Sequence, residues 1–187
     1  MYAYMKRAQY RDFHYFGYDL SGEMIQNAES LYKDKDKVEF FNIDDVNEMK
    51  NSEYTVASGI FNVKMHYQEF EWLPYILRTL EEMNKKSQKG FSFNILTKYS
   101  DKEYMRDDLY YANPTYFFDY CKTHFSRNVS LLHDYDLYEF TIVVRKWLKL
   151  FKAKPRIFNF ECQIYIQPYD KGRKRHIKIK FVKVAVL

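Results

Sequence analysis

Two cysteines, Cys121 and Cys162, stand alone in a chain of 187 residues, and no CxxC pair occurs. That scarcity argues against a disulfide framework and a zinc site, so no metal is expected and a reducing cytoplasm is the default setting. Five glycines and four prolines leave little material for long linkers, and regular elements should dominate. No apolar run approaches the ~18 residues of a membrane span. The opening MYAYMKRAQYRDF has no apolar stretch of the kind a signal peptide needs. GxSxG, HExxH and P-loop motifs are all missing, so no nucleophile or triad can be read from the chain.

What the chain has is apolar and aromatic mass, 47% hydrophobic and 20% aromatic residues, enough for one sizeable core. The net charge of +5 conceals a division. Residues 1–145 sum to −5 and residues 146–187 to +10. The shift marks a boundary near Lys146. The expected organisation is therefore a domain over 1–146 and a basic tail over 147–187. The tail reads as a solvated basic surface, or as a contact for nucleic acid or another polyanion.

Strand and helix signals alternate along the first domain. HYFGYD (14–19) reads as a buried strand, and Ser21 as the N-cap of a helix carrying Met24, Ile25, Ala28 and Leu31 on one stripe. VEFFNI (38–43) and YTVASGIF (54–61) are further strands. Residues 68–88 predict a long helix, with Phe70, Leu73, Ile76, Leu77, Leu80 and Met83 at helical spacing and Pro74 near its first turn. GFSFNILTK (90–98) is a strong strand. Pro114 opens a helix over 114–125. NVSLLHDY (128–135) and YEFTIVVRK (138–146) predict a tight antiparallel hairpin around Asp136 and Leu137. The alternation implies a mostly parallel sheet with helices on both faces and an antiparallel closing strand. The tail reads as an amphipathic basic hairpin turning at DKGRK (170–174).

The segment GYDLSGEMIQNAESLY, followed in order by VEFFNIDD, YTVASGIFNV, FSFNILT and HDYDLYEFTIVVRK, resembles a class I S-adenosylmethionine-dependent methyltransferase. The resemblance implies a Rossmann-like sheet whose second strand ends in an acid that accepts hydrogen bonds from the ribose hydroxyls of S-adenosylmethionine. On it, Asp19 is the ribose ligand, with Leu20 and Met24 against the ribose and adenine. Asp44 sits near the adenine amino group with Asp45 beside it, and Ser58, Gly59 and Phe61 line the methyl-donor pocket. The match covers roughly residues 1–146.

The chain departs from that pattern at its start. The family's first strand and its GxGxG turn, where glycine lets the backbone approach the ligand, have no counterpart before Asp19. Three readings stay open: an N-terminally truncated product or mis-called start, a degenerate domain, or a strand supplied from elsewhere, including the tail. The tail hairpin is a poor substitute, because Lys178 and Lys180 would be buried in a covered sheet.

Methyl transfer depends mainly on proximity and alignment, with a base needed only when the acceptor is protonated at neutral pH. The acceptor side should come from loops after the fourth and fifth family strands. Those loops carry Asn62, Lys64, His66, Tyr99, Asp101, Arg106, Tyr110 and Tyr111, of which His66, Asp101 and Arg106 are the catalytic candidates. The aromatic loop 99–120 reads either as a lid over an apolar or sugar-like acceptor or as half core, half surface. Two functions result: a methyltransferase for a small-molecule or carbohydrate-like acceptor, or a non-catalytic module whose basic tail grips nucleic acid. No membrane partner is expected, and an exposed sheet edge makes a homo-oligomer a candidate state.

Overall fold

The computed structural model describes residues 1–10, 12–33, 35–146 and 184–186. Its helices are α1 (Tyr2–Arg7), α2 (Gly22–Tyr32), α3 (Glu69–Lys86) and α4 (Pro114–His124). Its strands are β1 (Tyr15–Asp19), β2 (Val38–Asn42), β3 (Ser52–Ala57), β4 (Ser87–Leu96), β5 (Val129–Leu132), β6 (Glu139–Arg145) and β7 (Val184–Val186). The described elements belong to one unit. Residues 149–180 fall in a second unit, and the predicted basic hairpin lies largely outside the described residues.

Helices α2, α3 and α4 start where side chains satisfy their first amide groups. Ser21 Oγ accepts from the Met24 amide at 3.3 Å, and Asn113 Oδ1 accepts from the Thr115 amide at 3.2 Å just ahead of Pro114. Gln68 and Glu71 form a reciprocal cap on α3, whose last turn carries Lys85 and Lys86. Those charges sit at the ends that suit the helix dipole. Pro74 lies inside α3, where it cannot donate back to the carbonyl of Phe70. Ile76, Leu80 and Met83 are fully buried, but Phe70 is 76% exposed. The apolar stripe therefore begins at Leu73, one turn later than the spacing suggests.

The seven strands run in the order β2-β1-β7-β3-β4-β6-β5. β1 pairs with β2, and β3 with β4, in parallel. β6 is antiparallel to both β4 and β5. Strands β1 to β5 consequently share one direction, with β6 the reversed strand expected near the end. The predicted tight hairpin is a correction. The last paired residues are Leu132 and Thr141, and the intervening segment folds back on itself. The Tyr135 and Thr141 hydroxyls meet at 2.7 Å, and the Tyr138 hydroxyl donates to Asp101 at 2.5 Å.

A strand from the tail occupies the centre of the sheet, as one of the three readings allowed. β7 lies between β1 and β3 and is antiparallel to both, with Gly17, Ala185 and Val56 in line. The segment that fills the gap is 184–186, so the objection based on Lys178 and Lys180 does not apply to it. It bridges the two parallel halves in backbone hydrogen bonding, yet it runs opposite to a parallel strand.

Alternation along β4 and β6 puts Phe91, Phe93 and Ile95 with Phe140, Ile142 and Val144 in one buried cluster against α3 and α4. Phe61, Phe93, Phe117 and Phe140 are at most 1% exposed, and burying such a ring contributes about 1.5–3 kcal/mol. A second, aromatic cluster gathers Tyr2 and Tyr15 with Phe13, Tyr32, Val38 and Phe40 under α1 and α2.

Gly90 pairs with Tyr54 on one side and Arg145 on the other. A Cβ there would stand 2.3 Å from the Val144 carbonyl oxygen, which the ladder holds in place. Gly90→Ala should therefore destabilise the protein by about 1–3 kcal/mol, read as a lower midpoint in urea. Gly22→Ala, whose Cβ would meet nothing closer than Asn42 Oδ1 at 3.6 Å, should leave the midpoint unchanged or slightly raised.

Candidate functional site

The carboxyl ends of β1, β3 and β4 and the first residue of β6 lie along one edge of the sheet, and the candidate site is built there. Asp19 ends β1 and is only 8% exposed. The chain turns at once into α2, so the Ser21 amide donates to Asp19 Oδ1 at 2.9 Å. Asn42, at the end of β2, donates from Nδ2 to the Asp19 carbonyl at 3.0 Å, and the Ile43 amide reaches the same carbonyl at 3.2 Å. These bonds fix the residue from three sides. Its second carboxylate oxygen, Oδ2, is buried with no hydrogen-bond partner among the described residues. A buried carboxylate oxygen without a partner is costly, and a ligand hydroxyl at this strand end would satisfy it.

The loop after β3 forms the next part. Gly59 adopts φ 75°, a conformation that favours glycine. Its amide donates to Asn94 Oδ1 of β4 at 2.6 Å. A little further on, Asn62 Oδ1 accepts from the Leu96 amide at 3.1 Å, and the Asn62 carbonyl accepts from the Tyr110 amide at 2.9 Å. Two asparagines thus clamp residues 59–62 to the end of β4. Glu139, at the head of β6, is half-buried, and burial pushes its carboxyl up while the nearby Asn94 amide holds it back.

The other sequence-derived residues are distributed unevenly. Ser58 is partly buried beside Gly59, and Met24 is partly buried on α2. Leu20 is 62% exposed, so it makes no wall in this state. Phe61 is a correction: its ring is 0% exposed and packs edge-on against Phe93 at 6.0 Å. Its contribution is to the core, and only its carbonyl is engaged toward the surface, by Trp72 Nε1 at 2.9 Å. Asp44 is exposed. Asp45 is committed to structure: it accepts from the Asn47 amide at 2.9 Å, joins a capping box with Glu48 and pairs with Arg78.

The three catalytic candidates each have their own partner. His66 is exposed and stacks on Tyr67 at 4.6 Å. Asp101 accepts the Tyr138 hydroxyl. Arg106 pairs with Asp108 two residues away, with Nε to Oδ1 at 2.9 Å. The aromatic loop is divided, as one reading of it allowed: Tyr99 and Tyr104 are 63% and 60% exposed, whereas Tyr110 and Phe117 are buried. Sequence reasoning missed a row of rings at the start of α3. Tyr67 stacks on Trp72 at 6.1 Å, and Trp72 tilts onto Tyr75 at 4.8 Å. It also missed Asn94 and Glu139. The signal for both was present as a polar residue inside FSFNIL and an acid at the head of EFTIVV.

Among the described residues, no cluster of His, Cys, Asp and Glu could hold a metal ion, and no helix is long and apolar enough to cross a membrane. Burial pushes the Cys121 thiol up to about 12, which leaves it protonated and unreactive at neutral pH. A depression of 340 Å³ between α2 and β2 involves Tyr32, Lys33, Lys35 and Val38. It sits at the amino end of β2, away from Asp19.

No family model matches the chain. A Mycobacterium tuberculosis protein named "Putative methyltransferase Rv1506c" is 48% identical over 132 residues, covering 71% of this chain and 78% of its own. A chain in the structure of the Pnkp1/Rnl/Hen1 RNA repair complex aligns over 78% of this chain at 16% identity, with a TM-score of 0.55. The present chain spans only 35% of that one. Magnesium protoporphyrin IX methyltransferase from Synechocystis PCC 6803, solved with bound SAH, aligns over 70% of this chain and 63% of its own at 12% identity, with a TM-score of 0.48.

The Asp45 cap supplies a pH test. The Asn47 amide, and then Arg78, hold its carboxyl below the usual range. A depressed folded-state value means that the contribution is present above the unfolded value, 3.8, and is lost as pH falls through the folded one. Asp45→Ala should lower the melting temperature at pH 7, and the gap to the native protein should narrow in melts taken as the pH falls below 3.8.

Proposed function

Since this chain belongs to the class I S-adenosylmethionine-dependent methyltransferases, we propose that it transfers a methyl group to a small-molecule or carbohydrate-like acceptor. The observation that carries the reading is Asp19 Oδ2, buried and without a partner among the described residues at the end of a parallel strand. The bound donor supplies an activated methyl on a sulfonium centre. Everything else falls to the chain. Asp19 offers its unpaired oxygen to the ribose diol, while its other oxygen stays fixed by the Ser21 amide. Gly59 presents bare backbone at the loop beside it, held in place by Asn94.

Transfer requires the acceptor's lone pair to meet the methyl in line, so positioning supplies most of the rate. The exposed rings of Tyr67 and His66, backed by Trp72, support an acceptor with a flat apolar face. They leave the loop after β3 on the way into α3. His66 is exposed there and remains the base candidate for a hydroxyl acceptor.

S-adenosylhomocysteine should raise the melting temperature of the full chain, since a ligand at 100 times its Kd stabilises by about 2.7 kcal/mol. Asp19→Asn keeps an oxygen for the Ser21 amide and removes the carboxylate. It should weaken binding at least about tenfold by calorimetry, the scale of one lost charge-assisted hydrogen bond. The unliganded variant should melt no lower than the native protein, because an unsatisfied charged oxygen has gone. Native affinity in Asp19→Asn would refute the ribose assignment.

A further inference from the structure

The sheet is two pieces joined through one strand. β2 and β1 form the first piece, and β3, β4, β6 and β5 form the second. Among the described residues, β7 supplies every strand pairing between them. That joint is three residues long, whereas β1 has five and β3 six. A strand so short is held by few hydrogen bonds, and such segments open at a lower free energy than the whole domain.

The other contacts between the pieces come from the segment that leads into β3. The Lys50 amide, two residues ahead of β3, donates to the Tyr18 hydroxyl at 3.1 Å. The Lys50 ammonium pairs with Glu39 of β2 at 2.9 Å and lies over the Phe16 and Phe41 rings at 4.8 and 4.3 Å. On one face of the sheet Tyr18 joins the main core. Tyr2 and Tyr15 belong to a separate aromatic cluster, built among the described residues from the first piece and the helices beside it. These ties hold the pieces together near the start of β3 and do not depend on β7.

The donor site lies at the other end and draws on both pieces. Asp19 follows Tyr18 on the first, and Ser58 and Gly59 follow Ala57 on the second. Val184 pairs with both Tyr18 and Ala57, so it is the last rung before the site on either side. With β7 in place the two strand ends stand two strand spacings apart, ~10 Å. A nucleoside joined to an amino acid chain, as in S-adenosylmethionine, has the reach to touch both.

We propose that β7 is a removable joint: its insertion between β1 and β3 assembles the methyl-donor site, and the bound donor in turn locks it in. This rests on the methyl-donor reading above. Strand and donor hold the same two pieces in the same register, so each favours the state that the other needs. Such coupling is reciprocal. The donor suppresses strand opening by the same factor by which opening weakens the donor.

Native-state hydrogen exchange of the full chain, with and without S-adenosylhomocysteine, reads that factor. Without ligand, the amides of Val184, Ala185 and Val186 should exchange through an opening that leaves β4 and β6 protected. Ligand at 100 times its Kd should slow that exchange by about ten- to a hundredfold, the upper figure holding where the open state binds none. Ala185→Pro removes a ladder donor from a central strand and should weaken S-adenosylhomocysteine at least about tenfold by calorimetry. Gly90→Ala strains the sheet between β4 and β6 instead and should leave the affinity unchanged, which separates the joint from lost stability in general. Exchange in the unsubstituted protein decides the matter even if Ala185→Pro does not fold. Exchange of β7 only in step with β4 and β6, an opening that bound ligand leaves unaltered, or native affinity in Ala185→Pro overturns the joint and leaves the methyl-donor reading standing. Absence of any binding of S-adenosylhomocysteine to the unsubstituted protein overturns the two together.

Discussion

A carboxylate taken out of water and given half of its hydrogen bonds is the constraint around which this domain is organised. Asp19 is nine-tenths buried, with one oxygen bonded to the Ser21 amide and the other without a partner among the described residues. Such a group costs stability in an empty protein. The surrounding structure tolerates it because the residue's backbone is held independently, by Asn42 and the Ile43 amide on the neighbouring strand. The strand end is thus rigid before any ligand arrives, which is what reading a ribose diol requires.

That rigidity has to be carried across the sheet, and here the chain has an unusual centre. In order β2-β1-β7-β3-β4-β6-β5, two parallel pairs are joined through β7, which opposes both of its neighbours. Antiparallel bridging keeps β1 and β3 pointing the same way, so Asp19 and the Gly59 loop still emerge at one edge. It also means that β7 enters the sheet at that edge, with Val184 beside Tyr18 and Ala57. A parallel strand would instead end there in a turn, and a glycine-rich turn is how the family ordinarily approaches the donor. In this chain the bare backbone at the edge comes from Gly59, whose φ of 75° is the conformation such an approach favours.

Much of this could be read from the residues. GFSFNILTK and YEFTIVVRK read as strands, and Ser21 and Pro114 marked where helices begin, because caps and strand runs are local properties. What escaped was set by contacts distant in sequence. Phe61 sits in a loop pattern typical of a pocket but fills the core, since Phe93 and Trp72 claim its ring and its carbonyl. Asp45 has the position of a ligand but is drawn into a cap and an ion pair with Arg78, 33 residues away. Phe70 keeps helical spacing yet faces outward, because the sheet ends before α3's first turn reaches it. The strand order could be guessed from the resemblance, but the use of 184–186 at the centre could not, since no local pattern fixes its partners.

Asparagine does most of the connecting at the active edge. Asn42 donates to Asp19, Asn62 accepts from Leu96, and Asn94 accepts from Gly59. Each joins a loop or strand end to its neighbour through a side chain that can donate and accept but carries no charge. An aspartate in any of these places would set a further fixed charge along an edge that already holds the buried Asp19 carboxyl. A serine would be too short to span two strands. Neutral connectors therefore hold β1, the loop after β3 and β4 together at this edge without adding to its charge.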